Sequence, residues 1–452
     1  MSLSRREFLG SVAAGAATFT FVPGRVLGQA GQSPPSEKLN IAGVGVGGMG
    51  GNNIKAVASE NIVALCDVDD AKAAETFNRY PGAKKFRDFR KMLDAMDKEI
   101  DAVIVATPDH THAVVAMECI KRGKHVYVQK PLTHAVAEAR ALTEAARKHK
   151  VVTQMGNQGG SSEEVRLICE WIWDGAIGPV REVLAWTNRP VWPQGMDRPS
   201  DTPPVPATLD WDLWLGPAPS RPYHPAYHPF NWRAWQDFGT GALGDQACHL
   251  IDPVFRALKL RYPTSVEGSV AVQYKEMWKA WQNTETFPLA TLIHYEFPAR
   301  GDMPAVKLHW YDGGIMPQRP EELEKGRRMG DNEGGVLFIG DKGKLMCGNY
   351  AQGPRLIPES RMKEYQRPAR SIPRVGPSHE MHWVECCKKG VAQGPSSHFD
   401  YAGPFTESVV MGNLAIRFPN RQLLWDGEAM KVTNLEEANA FVNPPYREGW
   451  SL

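Results

Sequence analysis

The chain has 452 residues, 42% of them hydrophobic, and a formal net charge of +1. This length and hydrophobic content predict a large buried core that is divided between two domains. A net charge near zero provides no general attraction for a polyanion, so a nucleic-acid partner is not expected.

Residues 1–30 have the pattern of an export signal. The run Ser4-Arg5-Arg6-Glu7-Phe8-Leu9 precedes a weakly apolar Ala/Gly stretch and a small-residue region that ends near Gly28 or Ala30. This is typical of a twin-arginine signal, so we expect the twin-arginine export machinery as a partner and a periplasmic location. The alternative is a basic amphipathic start to the first domain. No later run is apolar for about 18 residues or more, so we expect no transmembrane span in the mature protein.

A glycine cluster follows a short apolar run at residues 38–50. The run predicts a buried parallel strand, and Gly45, Gly47 and Gly50 have the G-x-G-x-x-G spacing of a dinucleotide-binding turn. Gly45 would make the tight turn, Gly47 would let the backbone approach a pyrophosphate, and Gly50 would let the next helix pack on the strand. With Gly48 and Met49, these residues are candidates for binding the phosphates at the helix N-terminus.

A second apolar run, residues 61–67, ends in Asp67. An acid about 20 residues after the glycines is expected to accept a hydrogen bond from the ribose 2′-OH. A carboxylate there would repel a 2′-phosphate, so the sequence favours NAD over NADP as the cofactor. Asp67 has one alternative role, as the N-cap of the helix that follows.

Strands and helices then alternate, which predicts an α/β fold with a doubly wound parallel (Rossmann) sheet over residues 36–155. We expect strands at residues 100–106 and 125–128 and helices at residues 70–80, 89–96 and 113–122. The loop that contains Thr107, Pro108 and His112 leaves the carboxyl end of a strand, where open α/β sheets bind ligands. Lys130 and Pro131 form the next such turn.

The motifs Gly45-Val-Gly-Gly-Met-Gly50, Thr107-Pro108 with His112, and Lys130-Pro131 resemble those of the glucose-fructose oxidoreductase / inositol dehydrogenase / rhizopine catabolism family, Gfo/Idh/MocA. The resemblance implies that Lys130 lies beside the nicotinamide and the reacting hydroxyl. This chain has Gln129 where the family has a glutamate, which removes a carboxylate from beside the lysine. Gln129 and Asn157 are further candidates for cofactor binding.

Residues 156–452 form the predicted second domain, an α+β domain for substrate binding and catalysis. Eight of the fourteen tryptophans lie between Trp171 and Trp235. Aromatic faces stack on the C–H faces of sugars, so one interpretation is a carbohydrate pocket, and the other is that these tryptophans pack the insertion. We expect the inserted loop from Leu209 to Arg233 to cover the nicotinamide side of the cleft and to slow cofactor release.

Later apolar runs predict a large open, mostly antiparallel sheet, which the resemblance also implies, with one face packed toward the cofactor. The predicted strands are residues 180–186, 265–274, 290–297, 305–310, 335–339 and 344–347, and residues 401–415 are expected to form a final amphipathic helix.

Asp245 and His249 lie four residues apart, so on a helix they would share one face. A histidine oriented by an acid can take the proton of an alcohol as hydride leaves the same carbon, although a solvated ion pair is the commoner explanation of such spacing. The family carries the same D-x-x-x-H together with its lysine. The resemblance therefore implies that Lys130, Asp245 and His249 are catalytic.

No metal site is expected. His379 and His382 form an H-x-x-H pair without zincin spacing or a third ligand. The seven cysteines are odd in number and include no C-x-x-C, and Cys66 and Cys248 lie in apolar runs that predict small buried side chains.

Together these features predict an NAD-dependent oxidoreductase that removes hydride from a secondary alcohol of a sugar or glycoside, works as a homo-oligomer and retains its cofactor. A glycosidase or lyase that passes through a transient keto-sugar is a second hypothesis, which the sequence does not separate from the first. A non-catalytic sugar-binding protein is the third, and the presence of all three catalytic candidates argues against it.

Overall fold

The structure, a computed structural model, describes residues 37–281, 283–376 and 378–452. The predicted export signal at residues 1–30 lies outside these ranges. Within them, no helix is long and apolar enough to cross a membrane.

Six parallel strands form the first sheet in the order β3-β2-β1-β4-β5-β6, which confirms the predicted Rossmann topology. Its strands are β1 (Asn40–Val44), β2 (Asn61–Cys66), β3 (Lys84–Phe86), β4 (Ala102–Val105), β5 (His125–Gln129) and β6 (Thr153–Gly156). Its helices are α1 (Met49–Ala56), α2 (Asp70–Arg79), α3 (Phe89–Met96), α4 (Asp109–Lys121) and α5 (Val136–His149). Cys66 is buried at the end of β2, as predicted.

Helix α4 begins four residues before the predicted start at residue 113. Pro108 precedes its first turn with an extended backbone, and Asp109 places an acid in that turn, where the helix dipole favours it. His112 consequently lies on the helix rather than in the loop.

Nine strands form the second sheet in the order β15-β14-β13-β7-β12-β11-β8-β16-β17. Only the β7 and β12 pair is parallel among the strand pairs of this sheet, so the prediction of a mostly antiparallel sheet is confirmed. The strands are β7 (Val180–Thr187), β8 (Ser265–Val270), β11 (Thr291–Phe297), β12 (Val306–Tyr311), β13 (Gly334–Gly340), β14 (Gly343–Cys347), β15 (Arg355–Ile357), β16 (Leu423–Asp426) and β17 (Lys431–Val432), and β9 (Tyr274–Glu276) and β10 (Lys279–Ala280) form a separate hairpin. The helices of this half are α6 (Glu163–Trp173), α7 (Trp211–Leu215), α8 (Gly241–Leu250), α9 (Asp252–Ala257), α10 (Glu359–Glu364), α11 (His379–Lys389) and α12 (Phe399–Arg417).

The final helix predicted at residues 401–415 is present, but the prediction that it is amphipathic was wrong. Helix α12 is longer, and nearly all of its residues are buried because it lies between α5 and the second sheet. Gly403 and Gly412 allow the close approach, since a Cβ at Gly403 would lie 2.0 Å from Thr143 Oγ1 and one at Gly412 would lie 2.2 Å from the hydroxyl of Tyr295. A helix enclosed on both sides has no solvent face to carry polar residues.

Helix α11 packs against the first sheet, although it comes after most strands of the second sheet in the sequence. Trp383 and Val384 are buried in one apolar cluster with Tyr127 and Val152 of the Rossmann half. The two halves therefore share packing over long sequence separations and hold the cleft between them.

A substitution at Gly50 tests the close packing between the start of α1 and the glycine turn. A Cβ there would lie 1.8 Å from the carbonyl oxygen of Gly45. Gly50→Ala should therefore lower the free energy of unfolding by about 1–3 kcal/mol, the usual range for overpacking. Gly82→Ala is the matched control, because a Cβ there meets no atom within 4 Å. Equal midpoints of denaturant unfolding for the two variants would contradict this packing.

Candidate active site

A cleft of about 620 Å³ lies between the two halves, at the carboxyl ends of β1, β2, β4 and β5. This is the position at which open parallel sheets bind ligands. From the first half it is lined by Gly45, Gly47, Gly48, Met49, Asp67, Lys72, Arg87, Thr107, Pro108, His112, Gln129, Lys130 and Gln158, among others. From the second half the lining includes Arg189, Trp192, Trp214, His228, Phe230, Trp232, Arg233, Asp245, His249 and Tyr350.

The glycine turn has the geometry that the sequence predicts. Gly45 has a positive φ of 76°, and a Cβ there would lie 2.7 Å from backbone atoms of Ala106 and Thr107. The backbone N–H groups of Gly48 and Met49 have no hydrogen-bond partner among the described residues, and both residues line the cleft at the N-terminus of α1. Free N–H groups at a helix N-terminus suit a phosphate, so the turn fits the pyrophosphate of a dinucleotide.

Asp67 holds this turn in place as well as lining the cleft. Its Oδ2 accepts hydrogen bonds from the N–H groups of Val46 at 2.8 Å and Gly47 at 3.2 Å, and its Oδ1 accepts one from Asp69 at 3.0 Å. Burial raises the pKa of Asp67 to about 6, although these N–H groups act in the opposite direction. A carboxylate has about four acceptor positions, so Asp67 keeps capacity for a ribose hydroxyl. The alternative role of N-cap belongs to Asp69, whose side chain accepts from Ala71.

His112 positions two turns of the cleft. Its Nδ1 lies 2.8 Å from the carbonyl oxygen of Pro131, and its Nε2 lies 2.8 Å from that of Thr107. It therefore ties the turn after β4 to the turn after β5. Thr107 carries a buried hydroxyl that has no partner within the described residues, so it is free to bond a ligand.

Gln129 and Asn157 are placed differently from each other. The Gln129 amide donates to Asn53 at 2.8 Å, and its oxygen accepts the N–H of Lys130 at 3.3 Å, so it holds the turn rather than the lysine ammonium. Asn157 is buried outside the cleft lining, and its amide donates to Asp252 at 2.9 Å. Gln158, the next residue, lines the cleft instead.

Lys130 and Asp245 meet across the cleft. The Lys130 ammonium donates to the Asp245 carboxylate at 2.8 Å and to the Asp245 carbonyl at 2.7 Å. Their side chains are only 17% and 13% exposed. Burial alone would raise the pKa of Asp245, but the charges of Lys130 and Arg233 outweigh it and hold that pKa well below its ordinary value. Two of the three ammonium hydrogens are used in this way, so one remains for a ligand.

His249 lies on α8 beside Asp245 and lines the cleft, but the acid does not orient its ring. The Asp245 carboxylate accepts hydrogen bonds from Lys130 and Gln246, and His249 Nδ1 is buried without a partner in the described chain. The ring instead packs on Tyr350, with centroids 4.2 Å apart. Burial and the nearby charge of Lys130 lower the pKa of His249 well below its ordinary value, so the imidazole is neutral and able to accept a proton.

The loop from Leu209 to Arg233, hereafter the cleft loop, reaches both ends of the cleft. Beside Asp67, the N–H of Asp210 donates to Val68 at 2.9 Å, and His228 Nε2 lies 2.8 Å from Asp69 Oδ2. At the other end, Arg233 Nε lies 3.5 Å from Asp245 Oδ1. The contact of Arg233 with Asp245 agrees with the expectation that the loop covers the nicotinamide side, and the hydrogen bonds to Val68 and Asp69 show that it also reaches the end of β2.

Most tryptophans of this region pack the insertion, which supports the second interpretation of their abundance. Trp214, Trp232 and Trp235 are buried in one apolar cluster with Tyr227 and Phe238. Trp214, Trp232 and Phe230 all line the cleft, but Phe230 differs from the two tryptophans because it is 48% exposed.

Arg189 and Arg233 were missed as site residues. Both lie within 4 Å of Asp245, at 3.8 and 3.5 Å, although they precede it by many residues. Arg233 ends the Phe-Asn-Trp-Arg run of the cleft loop, and a cation within an aromatic run was the available signal.

His379 and His382 have structural partners. His379 Nε2 lies 2.8 Å from the carbonyl oxygen of Met155, and its Nδ1 lies 2.6 Å from Ser161 Oγ. Across the described ranges, no cluster of three or more His, Cys, Asp or Glu side chains is placed to hold a metal ion.

Two matches connect this architecture with known proteins. Residues 39–157 match the oxidoreductase family with an NAD-binding Rossmann fold, and residues 183–288 match its C-terminal alpha/beta domain. The chain belongs to the Gfo/Idh/MocA family. Its first half is accordingly the NAD-binding domain of that family, and the cleft glycines, Asp67 and Lys130 lie within the matched residues.

Characterised members of the Gfo/Idh/MocA family match parts of the chain. The levoglucosan dehydrogenase of Pseudarthrobacter phenanthrenivorans is 26% identical over 228 residues, 48% of this chain and 50% of that enzyme. The inositol 2-dehydrogenase of Rubrobacter xylanophilus is 31% identical over 148 residues, 32% of this chain and 42% of that enzyme. The chain thus spans half or less of the length of these relatives. A solved levoglucosan dehydrogenase in complex with NADH and L-sorbose shares the fold, with a TM-score of 0.55 and 19% identity over 86% of this chain and 98% of that chain.

The raised pKa of Asp67 predicts a pH dependence of NAD binding. The ribose hydroxyl needs the ionised carboxylate, so protonation as the pH falls through about 6 removes the acceptor. Affinity should drop roughly tenfold between about pH 7 and about pH 5, as linkage to one group requires. Titration of cofactor-stripped protein with NAD, followed by fluorescence, measures this. Asp67→Asn should flatten the profile, and an unchanged profile in that variant would refute the assignment.

Proposed function

We propose that the protein is an NAD-dependent oxidoreductase that removes hydride from a secondary alcohol of a sugar or glycoside. The observation that carries this proposal is the convergence of Lys130 and a neutral, buried His249 on one cleft beside the dinucleotide turn. The matched relatives named above, a levoglucosan and an inositol dehydrogenase, support a polyol or sugar substrate.

Lys130 binds the reacting hydroxyl. Its third ammonium hydrogen is free for the alcohol oxygen because the other two bond Asp245. A positive charge beside that oxygen stabilises the negative charge that develops as its proton leaves. Asp245 holds the ammonium in place at 2.8 Å and balances its charge.

His249 accepts the hydroxyl proton. Its lowered pKa keeps the ring unprotonated before the reaction, and the ring packs against Tyr350. NAD, when bound, supplies the hydride acceptor. Asp67 next to the turn favours NAD over NADP, since it would repel a 2′-phosphate.

Lys130→Ala and His249→Ala should each lower kcat roughly 10²-fold or more while leaving NAD binding nearly intact, because each removes a positioned proton-transfer group. The double variant should be far less than multiplicatively worse, since the two residues act on one hydroxyl. NADH absorbance with a panel of sugars measures turnover. Lys148→Ala, an exposed lysine outside the cleft, is the control. Near-normal turnover in either active-site variant would exclude the proposed site.

We also propose that the protein is exported through the twin-arginine pathway, acts in the periplasm as a homo-oligomer and keeps its cofactor. Little free NAD exists outside the cytoplasm, so an exported enzyme must recycle the bound molecule with a second substrate. The contacts of the cleft loop with Asp69 and Val68 support slow release, because this loop would have to lift before the dinucleotide leaves.

NAD should remain with the protein through extensive desalting. His228→Ala should release it roughly tenfold faster or more, because the bond to the Asp69 carboxylate is lost. His224→Ala is the control, since His224 lies in the same loop but pairs with Asp201. Stopped-flow loss of NADH fluorescence measures release. Retention would be contradicted if the wild-type protein released NAD rapidly and turned over substrate only while added NAD was consumed in stoichiometric amounts.

A further inference from the structure

Three cations, Lys130, Arg189 and Arg233, meet around Asp245 at the substrate end of the cleft. Asp245 lies 2.8 Å from Lys130, 3.5 Å from Arg233 and 3.8 Å from Arg189. The only other carboxylate at these cations, among the described residues, is that of Glu333, 3.4 Å from Arg189 Nη2 and 48% exposed. Asp109, a further acid of the cleft lining, is buried and accepts the hydroxyl of Thr240 at 2.6 Å.

Asp245 accepts its side-chain hydrogen bonds from residues other than the two arginines. Lys130 already bonds this carboxylate at 2.8 Å, and Gln246 donates to its other oxygen at 3.1 Å. The arginine distances of 3.5 and 3.8 Å are longer than hydrogen bonds. Each guanidinium is ion-paired with Asp245 but donates no hydrogen bond to its carboxylate.

Arg233 has a free binding edge. Its Cζ lies 4.4 Å from the ring centre of Phe230 and 4.2 Å from that of Trp232, so cation–π contacts hold the guanidinium group between the two rings and Asp245. Nη1 donates to the carbonyl oxygen of Phe230 at 3.1 Å, whereas Nη2 has no hydrogen-bond partner in the part of the chain described here. A stacked guanidinium with open donors is suited to binding a carboxylate.

Lys130 and Arg233 both approach the same atom, Asp245 Oδ1. The two cations are therefore close enough for one monosaccharide to present a hydroxyl to Lys130 and an anionic group to Arg233. The exposed ring of Phe230 lines the same end of the cleft and offers a face for the C–H groups of that sugar.

We infer that the substrate is a sugar acid, a uronic acid or uronoside, whose carboxylate binds Arg233 with Arg189 as a second cation. This inference rests on the proposed oxidoreductase function and adds the substrate class.

Matched substrates test the inference. Methyl glucuronide and methyl galacturonide differ from methyl glucoside and methyl galactoside only at C6, where a carboxylate replaces a hydroxymethyl group. For one or both uronides, kcat/KM should exceed that of the matching neutral glycoside by roughly tenfold or more, as expected for a charge-assisted hydrogen bond. Equal or lower values for the acids, with neutral sugars turned over, overturn the inference and leave the oxidoreductase function intact. If no sugar in a broad panel leads to reduction of NAD, the proposed oxidoreductase function itself is overturned.

Arg233→Gln separates substrate binding from support of Asp245. If Arg233 binds the acid, the ratio of kcat/KM for acid to neutral sugar should fall roughly tenfold or more, mainly through KM, and Arg233→Lys should restore part of it. If Arg233 only supports Asp245, both substrates lose activity equally and the inference fails. Arg181→Gln, which removes an arginine from an exposed pair with Asp341, is the control. Arg189→Gln provides the same comparison if Arg233→Gln does not fold.

Discussion

The ion pair between Lys130 and Asp245 is the interaction on which the arrangement of the site depends. The two residues are 115 positions apart in sequence, and one follows a strand of the Rossmann sheet while the other lies on a helix of the second half. Both are largely buried, and a buried charge without a partner costs several kcal/mol. The pair therefore favours contact between the two halves. In this arrangement one ammonium hydrogen of Lys130 is free for a ligand, and His249 lines the cleft beside it.

The start of α8 is held in place by both halves of the protein. Thr240 donates its hydroxyl to the buried carboxylate of Asp109 on α4 at 2.6 Å, and its carbonyl accepts the amide of Asn413 on α12 at 3.1 Å. Gly244 allows the turn to close around Thr240, since a Cβ there would lie 1.9 Å from the Thr240 hydroxyl. Asp245, the next residue, is thereby placed by packing and hydrogen bonds remote from the substrate.

Gln129, the departure from the family motif, has a role in the same closure. Its amide donates to Asn53 on α1, and the Asn53 amide donates to the Glu380 carboxylate on α11 at 2.9 Å. Tyr127 adds a further bond to Glu380 at 3.3 Å. A glutamate at position 129 would put a second carboxylate into this buried network, where like charges raise the energy. The amide instead links the dinucleotide turn, the lysine turn and the late helix.

The sequence alone determined the parts whose causes are local. The glycine spacing, the acid after β2 and the alternation of strand and helix identified the Rossmann half, because strand, turn and helix geometry follow from residues that are close in the chain. The separation of Asp245 and His249 by four residues likewise placed both on one helix face. Lys130 was identified as a site residue because the Lys130-Pro131 turn resembles a motif of the family.

Only the tertiary structure decided which of these side chains bond each other. Asp245 binds Lys130 rather than orienting His249, Asn157 turns away from the cleft, and Arg189 and Arg233 join the site. These outcomes depend on contacts between residues far apart in sequence, and such contacts are set by packing between elements rather than by spacing within one. The final helix illustrates the same limit. Its sequence predicts a helix, but whether one face meets solvent depends on the elements packed around it, and α12 is enclosed by both halves.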